Sequence, residues 1–451
     1  MLEAIILAAG KGTRMRSNLP KVMHKLAGRP LLQHVIDTAL QLPLERMHLV
    51  LGHGAELIQR QIKHERLQVV LQAEQLGTGH AVMQALPGLD DHATVLILYG
   101  DVPLISAVTL QALLQLAYPG SLALLTVNLP DPNGYGRILR DASGQVEAII
   151  EQKDASAPQL AITEVNTGIL AVSAAFLREY LPCLRNDNAQ QEYYLTDLIG
   201  LARKAGLTIH TLETPNLYEV QGINTHQQQA ELERLYQQLQ ARTLMEAGLT
   251  LMDPLRFDCR GQLSMGADCV VDINCIFEGT VSLGNNVSVG PNCLIKNAVI
   301  ADDVEILANT VIEDAVVGKG CHLGPFARIR PGSHFAEGVR VGNFVETKKA
   351  VVGPGSKINH LSYAGDTTIG ANVNIGAGTI TCNYDGVNKH QTWIEDDVFV
   401  GSNTALVAPV TIGSGATIAA GSTITQNVES SQLAVARQRQ RNLDGWKRPK
   451  K

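Results

Sequence analysis

Short apolar, β-rich runs at Ala4 to Ala9, Met47 to Leu51, Val69 to Leu71, Val95 to Tyr99 and Leu122 to Val127 punctuate the first half of the chain, separated by segments of helical period such as Pro30 to Gln41 and Val108 to Leu116. Their alternation predicts a mostly parallel, Rossmann-like α/β sheet. From Thr225 to about Ala247 the chain is rich in helix formers, free of Gly and Pro, and apolar at Leu232, Leu235, Tyr236 and Leu239. That stretch predicts a helical arm. The expected organisation is a first domain over 1–226, a helical linker over 227–247 and a second domain over 248–451.

Beyond the arm the period changes. Stepping by six from Leu263 meets Cys269, Cys275, Val281, Val287, Cys293, Val299, Glu305, Val311, Val317, Leu323, Ile329, Phe335 and Val341, with Glu305 the one polar member. The ladder returns at Ile394, Val400, Leu406, Ile412, Ile418 and Ile424. A period of six fits a solenoid in which each hexad forms one side of a triangular coil, and side chains 18 residues apart stack at about 4.8 Å. The ladder cysteines read as small core hydrophobes. Between Ile375 and Ile394 the register slips, so Thr381-Cys382-Asn383-Tyr384-Asp385-Gly386 is expected to leave the coil, and a loop breaking so regular a core is a functional candidate.

Composition narrows the function classes. A chain of 451 residues exceeds one hydrophobic core, and a net charge of -6 argues against a nucleic-acid surface while leaving room for small phosphorylated ligands. The N-terminus lacks a basic leader and no apolar run approaches a membrane span, so no membrane insertion is expected. Seven cysteines, odd in number and without a C-x-x-C pair, disfavour a disulfide framework and a zinc site, which points to a reducing cytoplasm.

Leu7-Ala8-Ala9-Gly10-Lys11-Gly12-Thr13-Arg14 follows the first strand, with glycines where a backbone must approach a phosphate and Lys11 and Arg14 adding positive charge. Neither the P-loop spacing nor the dinucleotide pattern matches. Asp101, at a strand end in Tyr99-Gly100-Asp101-Val102-Pro103, reads equally as a Mg²⁺ ligand or a helix cap. Together with Pro20-Lys21 and Gln72-Ala73-Glu74-Gln75-Leu76-Gly77-Thr78-Gly79, these segments closely resemble the sugar-phosphate nucleotidyltransferases, specifically the bifunctional N-acetylglucosamine-1-phosphate uridyltransferases, and the resemblance spans nearly the whole chain. It implies an α/β nucleotidyltransferase joined to a hexapeptide-repeat left-handed parallel β-helix. The implied reactions are acetyl transfer from acetyl-CoA to glucosamine 1-phosphate, then uridylyl transfer from UTP with release of pyrophosphate, supplying cell-wall peptidoglycan and lipopolysaccharide precursors. By resemblance Asn224 completes the metal site with Asp101. Leu7, Ala8, Ala9, Gly10, Arg14, Lys21, Tyr99 and Gly100 hold the nucleotide, Gln72, Gly77 and Thr78 read uracil, and Gly136, Glu151 and Asn166 hold the N-acetylglucosamine.

Acetyl transfer to an amine needs a base, and His360 in Asn359-His360-Leu361-Ser362-Tyr363 is the candidate. Arg328, Arg330, Lys348 and Lys349 bring cations to segments where the hexads falter. In the resembling acetyltransferases Arg330, Lys348, Tyr363 and Asn374 match glucosamine 1-phosphate contacts, and Ala377, Asn383, Tyr384, Ser402, Ala420 and Arg437 match acetyl-CoA contacts. The same resemblance offers Glu346 to orient His360 and the Ser402 backbone N–H as an oxyanion donor, and implies a homotrimer. Two rivals stand beside it: a single-activity nucleotidyltransferase whose β-helix is a regulatory or assembly module, and a zinc or scaffold role for the coil. His322, His334, His360 and His390 show no 18-residue stacking.

Overall fold

Alternate residues of the strand Leu2–Ala8 enter two different cores, which makes it a central strand covered on both sides. Ala4, Ile6 and Ala8 pack with Leu32, Val35 and Ile36 on one face, and Ile5 and Leu7 pack with Ala81 and Val82 on the other. In the computed structural model, which describes residues 1–449, the spatial order across this sheet is Thr208–Glu213, Ser121–Asn128, Glu164–Ser173, Thr94–Tyr99, Leu2–Ala8, Arg46–Leu51 and Leu67–Leu71. Only Glu164–Ser173 runs antiparallel to its neighbours along that order. Helices Leu31–Ala39 and Ala107–Gln115 form where the helical period predicts them. The carboxyl ends of Leu2–Ala8, Leu67–Leu71 and Thr94–Tyr99 open together at one rim of the sheet, where ligands of such folds bind.

The chain divides into two units between Tyr236 and Gln237, inside the helix His226–Glu246. Each half of that helix belongs to its own unit. Leu232 is buried with Met15, Leu26, Leu31 and Ile223. Gln237 is buried against the first coil, where its amide accepts from the Cys259 N–H at 2.7 Å and donates to the Cys259 carbonyl at 3.1 Å. The strand-like groups of that coil are thus satisfied by a helix side chain.

From Thr250 onward, strands of mostly two or three residues stack in parallel, one eleven-stranded sheet forming a face of the prism and a fifteen-stranded sheet wrapping the rest. Each side buries a small residue and, two positions later, a larger one: Cys293 and Ile295, Val304 and Ile306, Ala327 and Ile329, Ser356 and Ile358. Small polar members satisfy themselves on backbone carbonyls, as Ser356 Oγ does on Gly370 at 2.6 Å and Cys321 Sγ on Ala336 at 3.1 Å. This arrangement fits the left-handed β-helix.

Two details differ from the hexad reading. Stacked partners are 18 residues apart in some coils and 17 in others. Where a corner drops one residue, Ala298, Val304 and Thr310 become the buried small positions, while Val299 turns outward at 53% exposure. A one-residue slip exchanges the two faces of a strand, so Glu305 never interrupts the core. The second difference is the loop: Thr381 and Cys382 remain in the coil, paired with Leu406 and Val407, and the excursion runs from Asn383 until the coil resumes at Thr392, which stands 25 residues beyond its partner Thr367.

Ile312 is fully buried in the stack. Its replacement by Ala is expected to lower the unfolding free energy of the β-helix by about 2–5 kcal/mol. Both tryptophans of the chain, Trp393 and Trp446, lie in this unit, so tryptophan emission during denaturant titration reads that loss; an unchanged midpoint would show that the coil does not depend on this contact.

Candidate active sites

The loop after Leu2–Ala8 turns back over the strand ends and builds the first site. Leu7, Ala8, Ala9, Gly10, Lys21, Gln72, Gly77, Thr78, Tyr99 and Asp101 line one cleft of about 590 Å³, together with Lys11, Gln75 and Glu192. Gly77 has φ 112°, and a Cβ there would strike the Tyr193 backbone, so the cleft wall requires glycine at that point. Gln72 is buried, and its amide nitrogen meets the Gly77 carbonyl at 3.2 Å and His80 Nδ1 at 3.0 Å.

At the mouth of the cleft four expected residues converge. Lys21 Nζ lies 2.5 Å from Asp101 Oδ2 and donates to Asn224 Oδ1 at 3.1 Å, and Arg14 Nη2 donates to the same amide oxygen at 2.8 Å. One carboxylate and one amide oxygen therefore hold a cationic centre between them, and hard oxygens of this kind fit a magnesium ion that completes its shell with phosphates and water. Among the described residues no group of three or more His, Cys, Asp or Glu side chains could hold a metal.

The residues expected on the sugar side form a connected network. Asn166 N–H donates to the Gly136 carbonyl at 2.8 Å, and Asn166 Oδ1 accepts from Gly168 N–H at 2.9 Å. Gly168 presses against the Tyr99 ring and Gly136 against Ile149, where a side chain would intrude, and the Glu151 carboxylate lies in ordinary contact with Gly136. Glu151 Oε1 accepts from Thr196 Oγ1 at 3.1 Å. Burial raises the Glu151 carboxyl above its ordinary value, with Asp197, Asp154 and Glu192 adding to the effect, and burial raises the Tyr99 phenol as well. Gly100 closes the network from behind, its N–H donating to the Leu7 carbonyl at 2.9 Å.

The second site lies on the coil. His360, exposed at the end of the strand Lys357–His360, stands in register above Asn343, and its Nδ1 lies 2.9 Å from Asn343 Oδ1. Glu346, offered by its carboxylate as the orienting partner, is instead engaged by Arg330 Nη1 at 2.6 Å and stacks beneath Tyr363. The correction follows from register: the strand below His360 places an amide, not the carboxylate, under the imidazole. Between His360 and Tyr363 the corner is unusual. Asn292, Asn309 and Asn403 take the left-handed conformation elsewhere in this column, as asparagine readily does, but of the four intervening places Phe326, Phe344 and Leu361 occupy three, with φ of 56°, 55° and 50°, and Gly378 the fourth. The phenyl rings stack at 5.4 Å, and all three side chains are at least half exposed.

The residues expected to hold the acyl donor occupy the coils above. Gly378 N–H donates to the His360 carbonyl, Asn403 N–H to Ala377, and Gly421 N–H to Ser402, which sets Ala377, Ser402 and Ala420 one over another. Arg437 Nη1 donates to the Ala420 carbonyl at 2.7 Å. Asn374 pairs with Lys357 below and Phe399 above. Asn383 and Tyr384 begin the excursion, and Asn383 Nδ2 donates to the buried Asp366 Oδ2 at 2.5 Å. Lys389, absent from the sequence-based expectation, is a neighbour of Lys348, and its charge, with burial and the charge of Arg330, lowers the Lys348 pKa. The basic tail from Trp446 is exposed as far as it is described, and Lys450 and Lys451 lie outside the described residues.

Comparison with known proteins follows the same division. A model described as a MobA-like NTP transferase domain matches residues 4–154, one described as the GMPPB C-terminal domain matches 259–368, and one described as bacterial transferase hexapeptide (six repeats) matches 391–426. The stretch between the last two, 369–390, contains all of the excursion but its final residue, Gln391. Proteins named Bifunctional protein GlmU from Marinobacter nauticus and Cellvibrio japonicus are each 59% identical to the chain, over 450 and 449 residues, covering 100% of it and 99% of their own length. The protein of that name from Saccharophagus degradans is 57% identical over 451 residues, covering 100% of both.

The raised carboxyl of Glu151 has a stability signature. An acid whose folded pKa exceeds its unfolded one is destabilising when ionised, and that cost fades as pH falls through the folded value. Glu151→Gln, which keeps an acceptor for Thr196, is expected to protect the Glu164–Ser173 strand from hydrogen exchange relative to the parent at neutral pH. The gap should close as pH falls through the raised value, and a pH-independent gap would remove burial as its cause.

Proposed function

The chain belongs to the bifunctional GlmU family, and on that premise we propose which residues carry its two transfers and in what setting they work. It is an enzyme of UDP-N-acetylglucosamine synthesis, a uridyltransferase in its N-terminal domain and a hexapeptide-repeat acetyltransferase in its C-terminal domain. The first domain is assigned to residues 1–226, the linker to 227–247 and the acetyltransferase to 248–451. Acetyl-CoA acetylates glucosamine 1-phosphate, and UTP then uridylylates the product.

For uridylyl transfer, the convergence of Lys21 and Arg14 on Asp101 and Asn224 carries the reading. Asp101 and Asn224 hold Mg²⁺, which supplies charge neutralisation for the triphosphate and the departing pyrophosphate. Lys21 and Arg14 shift from these oxygens to phosphate oxygens as the nucleotide enters, so both substrates' anions meet fixed cations. The Gln72 carbonyl accepts the uracil imide N–H, and Glu151 and Asn166 orient the N-acetylglucosamine for in-line attack.

For acetyl transfer, the contact between His360 and Asn343 carries the reading. The Asn343 oxygen accepts the Nδ1–H proton, which leaves a lone pair on Nε2 to take the proton from the attacking amine. Arg330 and Lys348 hold the sugar phosphate, Tyr363 and Asn374 the sugar, and Ala377, Asn383, Tyr384, Ser402, Ala420 and Arg437 the acyl donor, with the Ser402 N–H directed at the oxyanion. A single coil supplies one wall of this site. The exposed ridge of Phe326, Phe344 and Leu361 beside His360 favours a homotrimer in which a neighbouring copy closes the site. Seven free cysteines and the absence, among the described residues, of any helix long and apolar enough to cross a membrane favour a cytoplasmic enzyme.

Two paired substitutions test the division of labour. Asp101→Ala should abolish uridylyl transfer and spare acetyl transfer, whereas His360→Ala should lower acetyl transfer by about 10²–10⁴-fold and spare uridylyl transfer. Loss of both activities in either variant would contradict two separate sites, and intact acetyl transfer in His360→Ala would leave the rival reading of an assembly module. Lys348→Ala should raise the KM for glucosamine 1-phosphate by roughly tenfold or more with the acetyl-CoA KM unchanged; equal effects on both substrates would remove Lys348 from the phosphate subsite.

A further inference from the structure

The excursion from the coil is a folded hairpin, not a slack loop. Tyr384 bridges Lys389 in antiparallel fashion, and the Asp385 N–H donates to Asn388 while the His390 N–H donates to Asn383. Asp385 Oδ1 accepts from the N–H groups of Val387 and Asn388 at 2.8 and 2.7 Å, closing the tip. The outgoing strand is anchored to the coil through Asn383 and the buried Asp366. The returning strand has a different tether: His390 Nε2 meets Asp385 Oδ2 at 2.8 Å, with both side chains partly exposed. The imidazole and the backbone donors pull the Asp385 carboxyl well below the usual carboxylate range, so it is an anion throughout the working range.

This tether matters because of what its neighbour does. Lys389 precedes His390 and stands near Lys348, which has Arg330 and Asp366 as its other charged neighbours. Three like charges repel, and an exposed lysine on a flexible four-carbon stem would swing away unless its backbone were held. A short two-stranded ribbon alone is marginal in water. Resting on the assignment of Arg330 and Lys348 to the sugar phosphate, we infer that His390 is a positioning residue of the acetyltransferase: bonded to Asp385, it fixes the returning strand so that the Lys389 ammonium completes a three-cation cradle for a phosphomonoester dianion. His390 touches no reacting atom, and its contribution is to the capture of the sugar phosphate.

The experiment uses the full-length enzyme. His390→Ala should raise the KM for glucosamine 1-phosphate by about tenfold, the scale of a charge-assisted hydrogen bond made less often, while kcat and the acetyl-CoA KM stay within about twofold. His390→Gln, whose amide N–H can donate to Asp385, should restore the parent KM. Since the imidazole acts through its neighbour, His390→Ala added to Lys389→Ala should raise the KM no further than Lys389→Ala alone. Unchanged tryptophan emission verifies that the coil is intact in each variant. An unaltered sugar-phosphate KM in His390→Ala, a loss confined to kcat, or additive effects with Lys389→Ala would each overturn the inference. If Lys348→Ala and Lys389→Ala are also without effect on that KM, the phosphate assignment itself fails; if they raise it and His390→Ala does not, only the role of His390 fails.

Discussion

Each coil of the β-helix donates backbone N–H groups to the carbonyls of the next, as Ser288 does to Val304, Glu305 to Cys321 and His322 to Val339. Parallel pairing of this kind leaves no freedom of register, since a slip of one residue would turn the buried column outward. The acetyltransferase site inherits that rigidity. His360 is presented over Asn343 because the two strands pair in register, and Arg330 reaches Glu346 because the neighbouring side of the prism does the same. An imidazole, the amide oxygen beside its Nδ1 and a cationic patch are thus held by main-chain geometry, with side-chain freedom left mainly to Lys348 and Lys389.

The uridyltransferase site solves a different problem. Its ligands bring several negative charges to the rim of a parallel sheet, and the residues awaiting them are cations already bound to a carboxylate and an amide. Lys21 between Asp101 and Asn224 keeps those oxygens satisfied without burying an unpaired charge. Nearby, burial raises the Glu151 carboxyl, with Asp197, Asp154 and Glu192 adding to the effect, and two glycines, Gly136 and Gly168, let the backbone close on Ile149 and the Tyr99 ring.

Much of this was legible in the chain. The strand runs, the linking helix and the hexads are local patterns, and burial alternating along them left a periodic trace. What escaped notice was non-local or aperiodic. The shift from 18 to 17 residues occurs at corners, where the sequence carries no apolar marker, so Glu305 read as a fault in the ladder although its strand had merely turned over. Glu346 was offered to His360 because a carboxylate is the commoner partner of an imidazole; Asn343 passed unnoticed among the many corner asparagines of this coil. Lys389 lies where periodicity stops altogether. In the first domain the strand-end motifs were visible one by one, but the bond from Asn166 to Gly136 depends on strands that meet only after folding.

The excursion at Asn383 to Gln391 enters and leaves at one corner of the prism, and the coils on either side stack as though nothing had been inserted. A corner of this scaffold therefore tolerates new chain without loss of the column beneath it, in the way that a spiral stair accepts a balcony at any landing. Chemistry can be added to such a fold by lengthening a bend, and specificity can change from one descendant to another while the load-carrying interior stays the same.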